Sequence, residues 1–139
     1  MKNGFLALAI FSSCAAFADN CPNFTGRFQN FEGEILTVAQ TGCTAISVGI
    51  QENFAQPVTN IDFVLDGGRH AHGGIFWSAY WVGEKFVREP WSAAEGGELL
   101  GDREIWTLQR DGSGPSIFDQ VIDASDGTIM GKKVYKKVK

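Results

Sequence analysis

The stretch Cys21-Pro22-Asn23-Phe24-Thr25-Gly26-Arg27-Phe28-Gln29-Asn30-Phe31-Glu32-Gly33-Glu34-Ile35-Leu36-Thr37-Val38-Ala39-Gln40-Thr41-Gly42-Cys43 decides the fold. Phe31-Glu32-Gly33 fits a three-residue hairpin loop, with glycine at the third position, where a left-handed backbone is needed. Asn30 then faces Glu34. Continuing outward pair by pair, the same register brings Cys21 opposite Cys43. Turn chemistry and cysteine placement are independent signals, and they agree on one antiparallel pairing. A bridge between cysteines 22 positions apart would close the open end of the hairpin. The lost chain entropy is worth about 3 kcal/mol.

Strand-like alternation continues through the rest of the chain. Ile46, Val48 and Ile50 alternate with Ser47, Gly49 and Gln51; Ile61, Phe63 and Leu65 alternate with Asn60, Asp62 and Asp66. Phe118 and Ile122 share a parity opposite to Asp119 and Asp123, which predicts Phe118 on the buried face. A period of two marks strands with one covered face. Strands are expected at about 24–30, 34–41, 44–52, 60–66, 75–82, 85–91, 103–110, 116–123 and 128–138, with one short helical turn within 92–100. Glycine-rich turns separate them, and such short connections favour antiparallel neighbours. An all-β, antiparallel up-and-down barrel of about eight strands hides both faces and edges of such a sheet; a two-sheet β-sandwich is the alternative.

The first eighteen residues read as a secretory signal peptide. Lys2 precedes the apolar run Phe5 to Phe11, and Ala16-Phe17-Ala18 is a small-x-small cleavage site. Residues 19–139 then form a single barrel domain. Cys14 leaves with the leader, unless it carries a lipid, and the oxidising compartment favours the Cys21–Cys43 bond. The expected product is periplasmic or secreted and does not span a membrane. Across the 139 residues the net charge of −4 argues against a nucleic-acid partner. That charge is unevenly placed. Of 12 basic residues, Lys2 lies in the leader and Lys132, Lys133, Lys136, Lys137 and Lys139 crowd the C-terminus, which leaves six against 16 acidic residues. The basic run fits either edge protection of a terminal strand or contact with an anionic partner.

Both ends of the chain resemble known barrels. Cys21 to Asn30, with its Thr-Gly and its aromatic Phe28, resembles the opening strand of the calycins: lipocalins, fatty-acid-binding proteins and avidins. Phe28 stands where those families usually carry tryptophan, and Glu34 stands where an avidin carries serine, so biotin binding is not implied. Lys133-Val134-Tyr135-Lys136-Lys137-Val138 resembles the last strand of fatty-acid-binding proteins. The resemblance implies an eight-stranded meander whose interior holds a small ligand, with Lys133 and Tyr135 contacting a ligand carboxylate at the barrel floor.

The residues themselves nominate few chemical groups. His70 and His72 are the only histidines. A third histidine and a nearby following carboxylate are lacking, and the flanking glycines suggest a mobile loop, so no metal site is assigned. Gly112-Ser113-Gly114 is a turn, not a nucleophile elbow. Glu95, Glu98, Asp102 and Glu104 read as a solvated acidic loop. No catalytic residue and no cofactor is assigned, and the chain is read as a non-enzyme. Trp77 and Trp81 share a face of one strand, and Trp106 lies on a neighbouring one; tryptophans so placed wall either a core or a ligand cavity. The sequence therefore predicts an exported small protein holding an apolar or amphiphilic molecule in its barrel, with Trp77, Trp81, Trp106, Lys133 and Tyr135 around it. The alternative is a periplasmic inhibitor, or a barrel that binds a protein partner through its loops, 66–74 and 95–102.

Overall fold

The structure, a computed structural model, describes residues 20–53, 56–93, 97–112 and 114–138. The leader, Cys14, Glu95, Ser113 and Lys139 lie outside the described residues. Ten strands form one antiparallel sheet: β1 Gly26–Gln29, β2 Ile35–Thr41, β3 Ala45–Gln51, β4 Thr59–Val64, β5 Arg69–His72, β6 Ile75–Val82, β7 Lys85–Trp91, β8 Asp102–Asp111, β9 Gly114–Asp123 and β10 Ile129–Lys137. Their order is β4-β3-β2-β1-β10-β9-β8-β7-β6-β5. Each strand pairs with its chain neighbour except at two places. β10 returns to pair with β1, and β4 and β5 are left as the two edges, with β4 lying against β6. The sheet curls into a nearly closed up-and-down barrel rather than a two-sheet sandwich.

The first hairpin has the register that the cysteines demand. Gly26 pairs with Val38 and Gln29 with Ile35, while Asn30 N–H donates to the Glu34 carbonyl at 3.1 Å. Gly33 has φ 91°, as the loop requires, and Cys21 and Cys43 are bonded. The seam between β4 and β6 is bridged at the end of the barrel that carries this disulfide, here called the lower end. Gly67 N–H donates across it to the Ala79 carbonyl on β6 at 3.0 Å, while Leu65 N–H, bonded to the Thr44 carbonyl at 2.8 Å, extends the β3–β4 pairing to that end.

Four expectations change. The barrel has ten strands, because residues 69–72 are a strand and not a mobile loop. Arg-His-Ala-His pairs along β6, with His70 opposite Trp77 and His72 opposite Ile75. Its side chains are exposed or half-buried, so no apolar alternation marked it. The helical turn within 92–100 is absent among the described residues. That segment instead folds back through a Trp91–Leu99 bridge and a Leu100 N–H bond to the Pro90 carbonyl. In β9 the parity is reversed: Ile117 and Asp119 face inward and are buried, while Phe118 points outward and is only half-buried. The basic C-terminal strand guards no edge, since β10 lies between β1 and β9.

Candidate functional site

The interior divides into two levels. At the lower end Phe24 is fully buried just before β1 and stops the barrel like a plug. Its ring stacks on Trp81 with centroids 6.1 Å apart, and it meets Trp106 at 6.0 Å and Phe86 at 6.4 Å. Phe86 packs edge-on against Trp106 at 5.3 Å and against Phe63 at 5.6 Å. Polar bonds hold the plug in place. Phe24 N–H donates to Gln40 Oε1 at 2.9 Å, and Gln40 Nε2 donates to the Pro22 and Gly42 carbonyls, each at 2.8 Å. Trp81 Nε1 donates to the Cys43 carbonyl at 2.9 Å, tying β6 to the disulfide across the seam.

Above this aromatic floor the inward face turns polar. Arg88 on β7 sits opposite Ala79 and Glu104, and Asp119 on β9 sits opposite Trp106 and Lys133. Arg88 Nη2 donates to Glu104 Oε2 at 2.6 Å. The guanidinium carbon lies 5.3, 5.6 and 5.8 Å from the ring centres of Phe63, Trp77 and Trp106. These rings present negative faces that favour a cation. Burial, and after it the charge of Glu104, raises the Asp119 carboxyl to about 8; Arg88 opposes the shift. Nearer the upper rim Lys133 Nζ donates to Glu34 Oε1 at 2.7 Å, and Asn30 Nδ2 reaches the same oxygen at 2.7 Å. Burial opposes ionisation of Glu34, but those two bonds outweigh it and hold the carboxyl below its usual range. Tyr135 is buried inside; burial first, then the nearby carboxylates, push its hydroxyl well above the ordinary range.

The proposed wall residues therefore separate. Trp106 and Trp81 belong to the floor, with Trp106 1% exposed. Trp77 is half-buried, packs edge-on against Phe63 at 5.7 Å, and stands above them near Arg88. Lys133 and Tyr135 do share the interior, but Lys133 stands near the upper rim rather than at the floor, and Glu34 already compensates its charge. Glu104 is not part of a solvated loop; it faces inward from β8 and binds Arg88. No pattern in the sequence marks Arg88, and Glu104 and Asp119 read there as solvent-facing, because their partners lie on other strands, with no local spacing to announce them. His70 faces Asp66, its Nε2 being 2.9 and 3.1 Å from the two carboxylate oxygens. Among the described residues no three metal-ligating side chains come together.

A second feature lies outside the barrel. Phe31, at the tip of the first hairpin, is 98% exposed. Beside it Lys132, Val134, Lys136 and Val138 line a surface groove of about 640 Å³. Among the described residues no helix is long and apolar enough to cross a membrane.

No known family profile matches the chain, and no curated protein matches it. Solved structures do. The fluorescent protein UnaG is similar at a TM-score of 0.58 and 13% identity, over 83% of this chain and 97% of that one. Secretory abundant heat soluble protein 4 from Ramazzottius varieornatus is similar at a TM-score of 0.54 and 14% identity, over 83% of this chain and 94% of that one. At such identities the likeness speaks for the fold: a calycin-like barrel.

Proposed function

We propose that this chain is an exported binding protein that holds one apolar or amphiphilic small molecule in the upper half of its barrel. The observation that carries the reading is the contrast inside the barrel. Below, aromatic rings fill the axis. Above, inward-facing Trp77, Ile50, Glu104 and Lys133 remain partly exposed, so a guest can reach them from solvent. Trp77 and Ile50 offer an apolar wall, and Trp106 is the floor on which a guest would rest. Trp81 supports that floor from below. Arg88, Lys133 and Tyr135 supply the polar side. Small-molecule sites combine these features: a mostly apolar concavity with a few convergent polar groups. The similarity to UnaG adds a barrel of the same class, and fold alone does not choose a ligand. The disulfide fits passage through an oxidising compartment. Binding rather than catalysis is the role assigned. Titration with the uncharged apolar fluorophore N-phenyl-1-naphthylamine, read by transfer from tryptophan, tests the proposal. A saturable signal that Trp77→Ala abolishes supports it; a probe-inert barrel rejects it.

The exposed Phe31 and its groove favour a second reading, the partner-binding barrel. Lys132 and Lys136 flank apolar Val134, which suits an acidic segment of a protein partner bearing one apolar side chain. In that case Phe31→Ser and Lys132→Gln would abolish capture of the partner while leaving fluorophore binding intact.

A further inference from the structure

Three buried polar atoms inside the barrel lack a protein partner: Arg88 Nε, Trp106 Nε1 and Asp119 Oδ1. Their residues are 7%, 1% and 6% exposed. They stand on the adjacent strands β7, β8 and β9, all facing inward, and Trp106 is directly opposite Asp119. The Arg88 guanidinium lies 5.8 Å from the centre of the Trp106 ring. An unmet buried donor or acceptor is costly, and these three face inward on three adjacent strands, where a single guest group would satisfy them.

Their chemistry specifies what would satisfy them. Arg88 Nε and the Trp106 indole are donors only. Burial, and after it the charge of Glu104, raises the Asp119 carboxyl to about 8, so near neutral pH Asp119 keeps a proton that Glu104 can accept. Glu104 also accepts from Arg88, so the one positive charge is balanced by one shared negative charge. What remains is two N–H donors and one acceptor oxygen, with no net charge to recruit an ion. A hydroxyl or a primary carboxamide matches that set: it accepts from the two donors and gives a hydrogen to Asp119 Oδ1. A carboxylate has no hydrogen to give; it would set a lone pair against Asp119 and a second negative charge beside Glu104. An ester accepts but does not donate.

We infer that Arg88, Trp106 and Asp119 form a head-group subsite selective for an uncharged group that both accepts and donates hydrogen bonds, an alcohol or a carboxamide on an apolar chain. The inference rests on the barrel-binding reading above and departs from the carboxylate that the C-terminal resemblance implied. A site built to hydrogen-bond a group discriminates strongly against analogues that leave its buried atoms unpaired.

The test is a series of equal chain length, 1-octanol, octanamide, methyl octanoate and octanoate, competed against the fluorophore near neutral pH. Octanol and octanamide should bind about tenfold or more tightly than the ester and the carboxylate, one missing hydrogen bond being worth roughly that factor. Trp106→Phe keeps most of the ring and removes the donor, so it should narrow the preference; Asp119→Leu, which removes the acceptor oxygen that an Asn would keep, should narrow it too. Octanoate binding as tightly as octanol overturns the inference, as does a preference untouched by both variants. Binding of all four with equal affinity defeats the head-group subsite and leaves the barrel reading standing. If none of the four binds, the barrel reading fails, and the subsite with it.

Discussion

The lower and upper halves of this barrel are built from the same strands and do opposite things. Below, aromatic and aliphatic side chains fill the axis, and the polar groups of Gln40 and Trp81 are bonded to the backbone. Above, the same strands bring in Arg88, Glu104, Asp119 and Lys133, each carrying a charge or a shared proton that burial penalises. Such groups are poor stabilisers compared with apolar packing. A barrel that needed only stability would continue the lower pattern upward. The difference teaches that the lower half holds the fold while the upper half is specified for something else.

Substitutions should break the two halves differently. The largest effect is expected from Phe86→Ala, which empties the centre of the aromatic floor; loss of about 3–5 kcal/mol in chemical denaturation follows from transfer and cavity terms. Trp77→Ala, at the half-exposed upper level, should cost less than half as much. Equal losses would erase the distinction. Replacing both cysteines with serine should cost about 3 kcal/mol. It should also raise hydrogen exchange in residues 24–30 before any upper-end segment responds. Equal protection of those residues with and without the bridge contradicts the plug.

The upper half should reveal itself through pH. Asp119 is raised to about 8 in the folded state from the ordinary 3.8. The folded protein therefore holds this proton more tightly than the unfolded chain. Stability falls as pH rises from about 4 to about 8, and the penalty is complete above that window. Asp119→Asn removes the dependence, so the variant should gain progressively on the wild type over that range, followed by melting at several pH values. A constant difference would place Asp119 outside the buried cluster. The smallest effect belongs to Lys133→Met. With Lys133 42% and Glu34 17% exposed, the pair is worth at most about 1 kcal/mol, and added salt should shrink it further.

The part of the fold that was legible in the sequence is the part with local causes. A glycine in a three-residue loop and two cysteines fixed the first register, and apolar alternation revealed β3, β4 and the inward tryptophans. β5 was hidden because Arg69 to His72 is an edge strand whose exposed side chains need no pattern. β9 was misread because alternation reports polarity rather than direction. Asp119 points inward since Glu104 and Arg88 receive it there, and Phe118 tolerates the half-buried outer face. The Arg88–Glu104 pair joins residues across the longest connection between consecutive strands, so no spacing rule could expose it. The basic run looked like an edge guard only because the chain ends there; in the barrel the last strand pairs with the first.

The indole N–H resonances measure the two halves together. Adding saturating octanamide to the disulfide-bonded protein should shift the signals of Trp77 and Trp106, which face the upper site. The Trp81 signal, bonded to the Cys43 carbonyl beneath the floor, should stay in place. Movement of Trp81 with Trp77 and Trp106 unmoved would put the guest elsewhere and contradict the account.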